Sequence, residues 1–192
     1  MNLLVGLLIF VVVMGVLGGI LSVVMQSRSN KRFEESVENQ GFRVTKKYSY
    51  SNGVLLIDEN NKKWAVNNTL FKSKIYDFKD LLDVEIFEDG VNIGKTSSLG
   101  KAVVGGLLFG VAGAVIGGSM GKRKNECTSL GIRIIVNDLN NPFIQLNFIN
   151  TKTKIGSFAY KTALQSANQI ASALTVIQYS SSITNKSDND KN

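Results

Sequence analysis

Residues 76–90 read YDFKDLLDVEIFEDG, from Tyr76 to Gly90. Apolar Leu82, Val84 and Ile86 alternate with Asp83 and Glu85, the two-residue period of a half-buried strand, and Glu88-Asp89-Gly90 closes it as a turn. Upstream, VTKKYSY, GVLLIDE and KKWAV are further short strands, split by Ser51-Asn52-Gly53 and by Glu59-Asn60-Asn61. Asn60-Asn61 is expected to form the tight turn, because Asn tolerates positive φ. A further strand, KIYDF, runs from Lys74 into the start of the quoted stretch. Downstream come SLGIRIIV, a turn from Asn137 to Pro142, FIQLNFI and a last strand KIGSFAY. In the C-terminal piece, Tyr160, Leu164, Ala167, Ile170, Ala171, Leu174 and Ile177 mark a helical stripe that must bury itself on the sheet. About seven strands followed by one helix is an α+β order.

That order, together with Tyr76, Phe78, Leu81, Leu82, Val84 and Ile86 in the quoted stretch, resembles bacterial PH-like and GRAM-like domains. The next stretch, GKAVVGGLLFGVAGAVIGG, is similar to the glycine-zipper insertion of small bacterial and prophage proteins of unknown function that often carry a SHOCT domain. The resemblance covers about Lys74 to Ile177. Val111 replaces a proline of that pattern, and no charged SHOCT-like helix follows Ile177. The resemblance implies an antiparallel β-barrel or sandwich closed by the C-terminal helix. It also implies that Lys46, Lys47, Lys62 and Lys63, near the first hairpins, could touch acidic headgroups.

At the other end, Leu3 to Met25 carries no charge. A helix of this length reaches about 34 Å, enough to cross the hydrocarbon core. The run is longer than a signal-peptide core and no small-residue cleavage pattern follows it, so an uncleaved anchor is expected. Arg28, Lys31 and Arg32 follow the run directly, which predicts a single-pass protein of the bacterial cell membrane, N-terminus outside and body in the cytoplasm. The same three residues, with Lys122, Arg123 and Lys124, are candidate contacts for anionic lipid. The expected organisation is an anchor over 1–27, a juxtamembrane linker or helix over 28–42, a PH-like domain over 43–178 interrupted at 100–121, and a disordered tail over 179–192.

Within the insertion, residues 102–120 are again uncharged. Gly106, Gly110, Ala114 and Gly118 fall four apart, as do Gly113 and Gly117, making smooth helical stripes suited to close packing. In water such a helix is poor, since each Gly costs about 0.8–1.0 kcal/mol against Ala. A membrane hairpin bent near Gly113 is the preferred reading, because strands on both sides belong to one sheet and both flanks are basic. A second span and a soluble glycine-rich loop are the alternatives. Self-association through these stripes, or through Gly15 and Gly19 in the anchor, follows from the same packing logic.

The 192 residues carry a net charge of +7, no histidine, one cysteine (Cys127) and one proline (Pro142). Imidazole-dependent triads and His/Cys zinc sites are thereby excluded. Gly90 to Thr96 falls short of a P-loop, because Asp89 stands where the first glycine belongs. Asp77, Asp80, Asp83, Glu85, Glu88 and Asp89 read as solvated strand and turn residues, and Trp64 and Cys127 as core. Scattered charge argues against nucleic acid. The expected function is binding or scaffolding at the inner leaflet, with the bilayer and an unknown protein as partners, no cofactor, no metal and no catalysis. The alternative is a membrane-perturbing or pore-forming protein.

Overall fold

The computed structural model describes residues 3–51, 53–68, 71–95 and 125–189. A single helix α1 (Leu3–Glu38) is followed by β1 (Lys46–Tyr50), β2 (Gly53–Asp58), β3 (Lys63–Asn68) and β4 (Phe71–Asp77), which form an antiparallel sheet in that order. One 3-10 turn (Phe78–Asp80) leads into β5 (Leu81–Glu88), β6 (Val91–Lys95), β7 (Glu126–Cys127), β8 (Leu130–Val136), β9 (Phe143–Ile149) and β10 (Thr153–Lys154). The second sheet runs β6-β5-β8-β9, and β7 pairs with β10. Helix α2 (Phe158–Asn189) completes an α+β architecture. Among the described residues the sheets form a sandwich and no closed barrel.

The main core lies between the sheets and α2, with Leu55, Trp64, Val84, Ile86, Ile132, Leu146 and Leu174 at its centre. Trp64 is fully buried, stacks on Tyr76 at 4.7 Å and donates its indole N–H to the Asp77 carbonyl at 3.2 Å. A bulge between Leu81 and Asp83 resets the parity of β5, so Leu81 points inward while Leu82 is exposed. Gly131 sits where a Cβ would strike the Phe87 ring, which explains a glycine inside a central strand.

The chain ends of the helices depart from expectation for physical reasons. Helix α1 continues unbroken from the anchor through the predicted linker, since nothing between Gln26 and Glu38 breaks a helix. It stops at Gly41, whose φ of 83° allows the N–H of Phe42 to bond the Val37 carbonyl and its own N–H to bond that of Glu38. This is a Schellman stop, with Phe42 packed near Val37. Gly156, with φ of 83°, cuts the predicted last strand short, and the Ser157 hydroxyl caps α2 by accepting the Tyr160 N–H. The expected tail from residue 179 is helical through Asn189, because no glycine or proline follows Gly156 to end α2. At the β2–β3 turn positive φ falls on Lys62 rather than on Asn60 or Asn61. Asn61 instead donates from its amide and side chain to the buried Asp58 carboxylate, at 2.9 and 2.7 Å.

Candidate functional site

One described helix is long and apolar enough to cross a membrane, and none of its apolar window is buried. From Val5 to Met25 its large apolar side chains are 38–69% exposed. The C-terminal turns of the same helix then dock. Phe33, Val37 and Phe42 form a second core with Val54, Leu56 and Ala65 on the outer face of the first sheet. Strand β2 is consequently buried on both faces.

Strand register fixes how this sheet stands beside α1. Ser49, Val54 and Asn67 share one row, and the Asn67 side-chain amide donates to the side-chain Oδ1 of Asn30 at 3.1 Å. Lys47, Leu56 and Ala65 share another, and Lys47 pairs with Glu34. Four helix residues span about 6 Å and two strand residues about 6.6 Å, so helix and sheet run in step. One further step brings Ser51 and the β1–β2 turn level with Gln26, immediately past the apolar run. Helix and strand leave a crevice of about 840 Å³ between Ser22, Gln26, Ser27, Asn30 and Lys31 on one wall and Lys47, Ser49 and Ser51 on the other. On the inner side of β1 a groove of about 490 Å³ runs past Tyr50, Phe148 and Phe158. Burial pushes the Tyr50 phenol well above its ordinary pKa, and its hydroxyl donates to the Asn67 carbonyl at 2.7 Å.

Strands β6 and β8, before and after the insertion, both pair with β5. Their junction is a clasp. Asp89 and Gly90 both take positive φ, making the two-residue β5–β6 turn. The Asp89 carboxylate accepts the N–H and hydroxyl of Thr128 and the N–H of Ser129, at 2.8, 2.7 and 3.0 Å. A family model, that of the glycine zipper containing PH domain, matches residues 41–150. The chain belongs to this family. The glycine-zipper PH protein is 35% identical over 104 residues to the immunity protein of Bacillus phage SPbeta, a match covering 53% of the chain and 51% of that relative. It is equally similar over 104 residues to YomJ, an uncharacterized membrane protein derived from the SPbeta prophage of Bacillus subtilis, with 45% of that relative covered. The chain spans about half the length of these curated relatives. No solved structure matches it.

The glycine-zipper residues Gly106, Gly110, Gly113, Ala114, Gly117 and Gly118, and the basic residues Lys122, Arg123 and Lys124, lie outside the described residues. Arg28, Lys31 and Arg32 are exposed on α1 within about 10 Å of Met25, and Lys31 approaches Glu35 at 3.8 Å. The four lysines near the first hairpins do not gather. Lys62 and Lys63 sit at the β2–β3 turn, the end of the sheet away from the apolar run, and only Lys47 faces the crevice. The acidic residues are likewise spent separately. Asp80 accepts the Asp77 N–H, Glu85 approaches Arg133, Glu88 accepts the Tyr160 hydroxyl and Asp89 makes the clasp. Among the described residues no acid, cysteine or histidine cluster could hold a metal. Gly90 to Lys95 is a turn and a strand, and Cys127 is buried with its thiol donating to the Ser129 carbonyl at 3.4 Å. Sequence reasoning missed the docking of Phe33, Val37 and Phe42. Its signal was the unbroken apolar run Val54 to Ile57, which means burial on both faces.

Proposed function

We propose that the glycine-zipper PH protein is a cytoplasm-facing binding or scaffolding module of the inner leaflet and works without catalysis. The carrying observation is α1, one continuous helix with an exposed apolar belt at one end and the first sheet docked at the other. A domain held this way is positioned to meet membrane-bound partners. Arg28, Lys31 and Arg32 beyond the belt support the inward orientation. The absence of histidine from the chain and the burial of its one thiol support action by binding. An immunity role, the one that names the SPbeta phage relative, belongs to the proposal, executed by occupying a target. So does pairing of anchors through Gly15 and Gly19, beside which α1 leaves open space. Because β6 and β8 flank one strand, the insertion leaves and re-enters a single sheet, which supports the hairpin reading and weighs against a second span and a pore.

The test is an Asn125→Cys reporter in a Cys127→Ala background, labelled in cells with a membrane-impermeant maleimide. Labelling only after permeabilisation is the expected result. Labelling of intact cells would put the second sheet outside and sink the cytoplasmic reading. Ion leakage on expression would favour the pore.

A further inference from the structure

Phe158 is the most exposed aromatic side chain among the described residues, at 87%. The reason is local. Gly156 turns the chain, Ser157 caps α2 and Tyr160 enters the core, so Phe158, two positions earlier and about 200° round the helix, points away from it. A helix start ordinarily gains from a carboxylate, yet the first turn of α2 holds none, and residues 150–161 carry no Asp or Glu. Contacts place this end of the sandwich beside the apolar belt. Ser51 lines the crevice with Ser22 and Val23, which lie inside the uncharged run of α1, and it also lines the groove with Phe158. The Ser51 hydroxyl donates to the Phe148 carbonyl at 3.3 Å. The next residue, Ile149, pairs through Leu130 with Glu88, which accepts the Tyr160 hydroxyl at 2.9 Å. Gln178, near the other end of α2, donates to the carbonyl of Leu82 at the start of β5. Helix α2 therefore directs its N-terminus toward the belt.

We propose that the end of the sandwich carrying Phe158 is a second membrane contact, in which the Phe158 ring inserts where headgroups meet acyl chains in the leaflet that holds α1. The inference rests on the membrane-anchored reading above and adds a fixed posture to it, with the start of α2 turned to the bilayer. The partner is the bilayer because this surface continues the belt. Lipid that covers Val23, itself 69% exposed, lies one residue, Ser51, away from Phe158, and the headgroup layer above it is about 5–8 Å deep. An aromatic ring gains there by leaving water. Charge is not what holds the contact. In the first sheet Asp58, Glu59 and Asp77 all stand at the β2–β3 turn, away from the belt. In the second sheet the acids at the near end are engaged within the protein: Glu88 with Tyr160, Asp89 in its clasp and Glu126 with Lys152 at 3.5 Å. This end therefore meets the leaflet without choosing a headgroup.

The experiment uses the full chain in phosphatidylcholine vesicles, with and without lipid brominated near the top of the acyl chain. Bromine quenches an indole that reaches its depth. The single tryptophan, Trp64, is buried near the β2–β3 turn and serves as the internal blank, so wild-type emission should not change with bromination. Phe158→Trp should add emission and lose most of that addition to the brominated lipid. Leu139→Trp puts the same indole, fully exposed, on the turn whose Asn137 N–H bonds the Asp80 carbonyl, at the far end, and should not be quenched. It controls for the attraction of any indole to the interface. If Phe158→Trp fails to fold, seen as loss of a cooperative melt, Ala159→Trp is read in the same way. An unquenched indole at position 158, or equal quenching at positions 158 and 139, would overturn the contact. So would emission at position 158 that follows protein density in the bilayer and not bromination, the sign of a second copy seated there. Failure of the anchoring reading looks different: the chain would not float with vesicles in a density gradient, and both readings would fall. A chain that floats with position 158 unquenched overturns the contact alone.

Discussion

Helices α1 and α2 are similar in length, 36 and 32 residues, yet they bury their apolar side chains against different solvents. In α2 the apolar residues form a stripe, and Tyr160, Ala167, Ile170, Ala171, Leu174 and Ile177 all vanish into the core. In α1 they form a belt around the whole circumference from Val5 to Met25, and the protein covers none of it. Only at Phe33 and Val37 does α1 switch to a stripe, four residues apart, and there the sheet covers it. The contrast teaches that angular distribution, more than hydrophobicity, tells where a helix meets lipid and where it meets protein. A single α-helix carries both codes in succession.

The contrast breaks most visibly when charge enters the belt. Val12→Arg with Val16→Arg should cost about 6 kcal/mol of insertion free energy. Most of the protein should then be released by alkaline extraction of membranes, while the domain still melts cooperatively. Substitution in the α2 stripe should do the reverse. Leu174→Ala should remove about 3–4 kcal/mol of domain stability, read as a lower denaturation midpoint in detergent, without releasing the chain from membranes. Phe33→Ala sharpens the comparison, because it touches the protein-facing code of α1 alone. It should cost about 3 kcal/mol locally, exposing β2 amides to hydrogen exchange while the α2 side of the core stays protected. The smallest effect is acid sensitivity at Asp58. Burial alone would raise its pKa, but hydrogen bonds from the Arg43 N–H, the Asn61 side chain and the Asn61 N–H outweigh it and hold the carboxyl below its ordinary value. The stabilisation is therefore present above the unfolded-state pKa, about 3.9, and is lost as pH falls through the lower folded value. Asp58→Asn should melt earlier at neutral pH and show a flatter decline below pH 4, seen in thermal melts across that range.

Much of the sandwich was legible because its strands alternate and its turns carry Gly, Asn and Asp. FIQLNFI became β9 with both ends as read, and the α2 stripe is buried as its period requires. What escaped notice depended on tertiary contacts. The unbroken apolar run Val54 to Ile57 shows that both faces are covered, but not that α1 is what covers one of them. Leu82 fits the strand period by sequence, and only the bulge at Leu81/Asp83 turns it outward. The polar residues from Tyr179 to Asn189 lack a buried stripe by sequence, yet nothing in them interrupts a helix already started. The crevice was illegible because it joins Ser22 and Gln26 to Ser49 and Ser51, segments that become neighbours only once Phe33 and Val37 have docked.

The Asp89 clasp has an entropic consequence. Its three bonds to Thr128 and Ser129 fasten the chain on either side of the segment from 96 to 124. Loop-closure entropy grows only slowly with length, by about 0.6 kcal/mol for each doubling. The ends of this segment are fixed by the sheet and the clasp. A change in its length alone would therefore cost the sandwich that carries it little closure entropy.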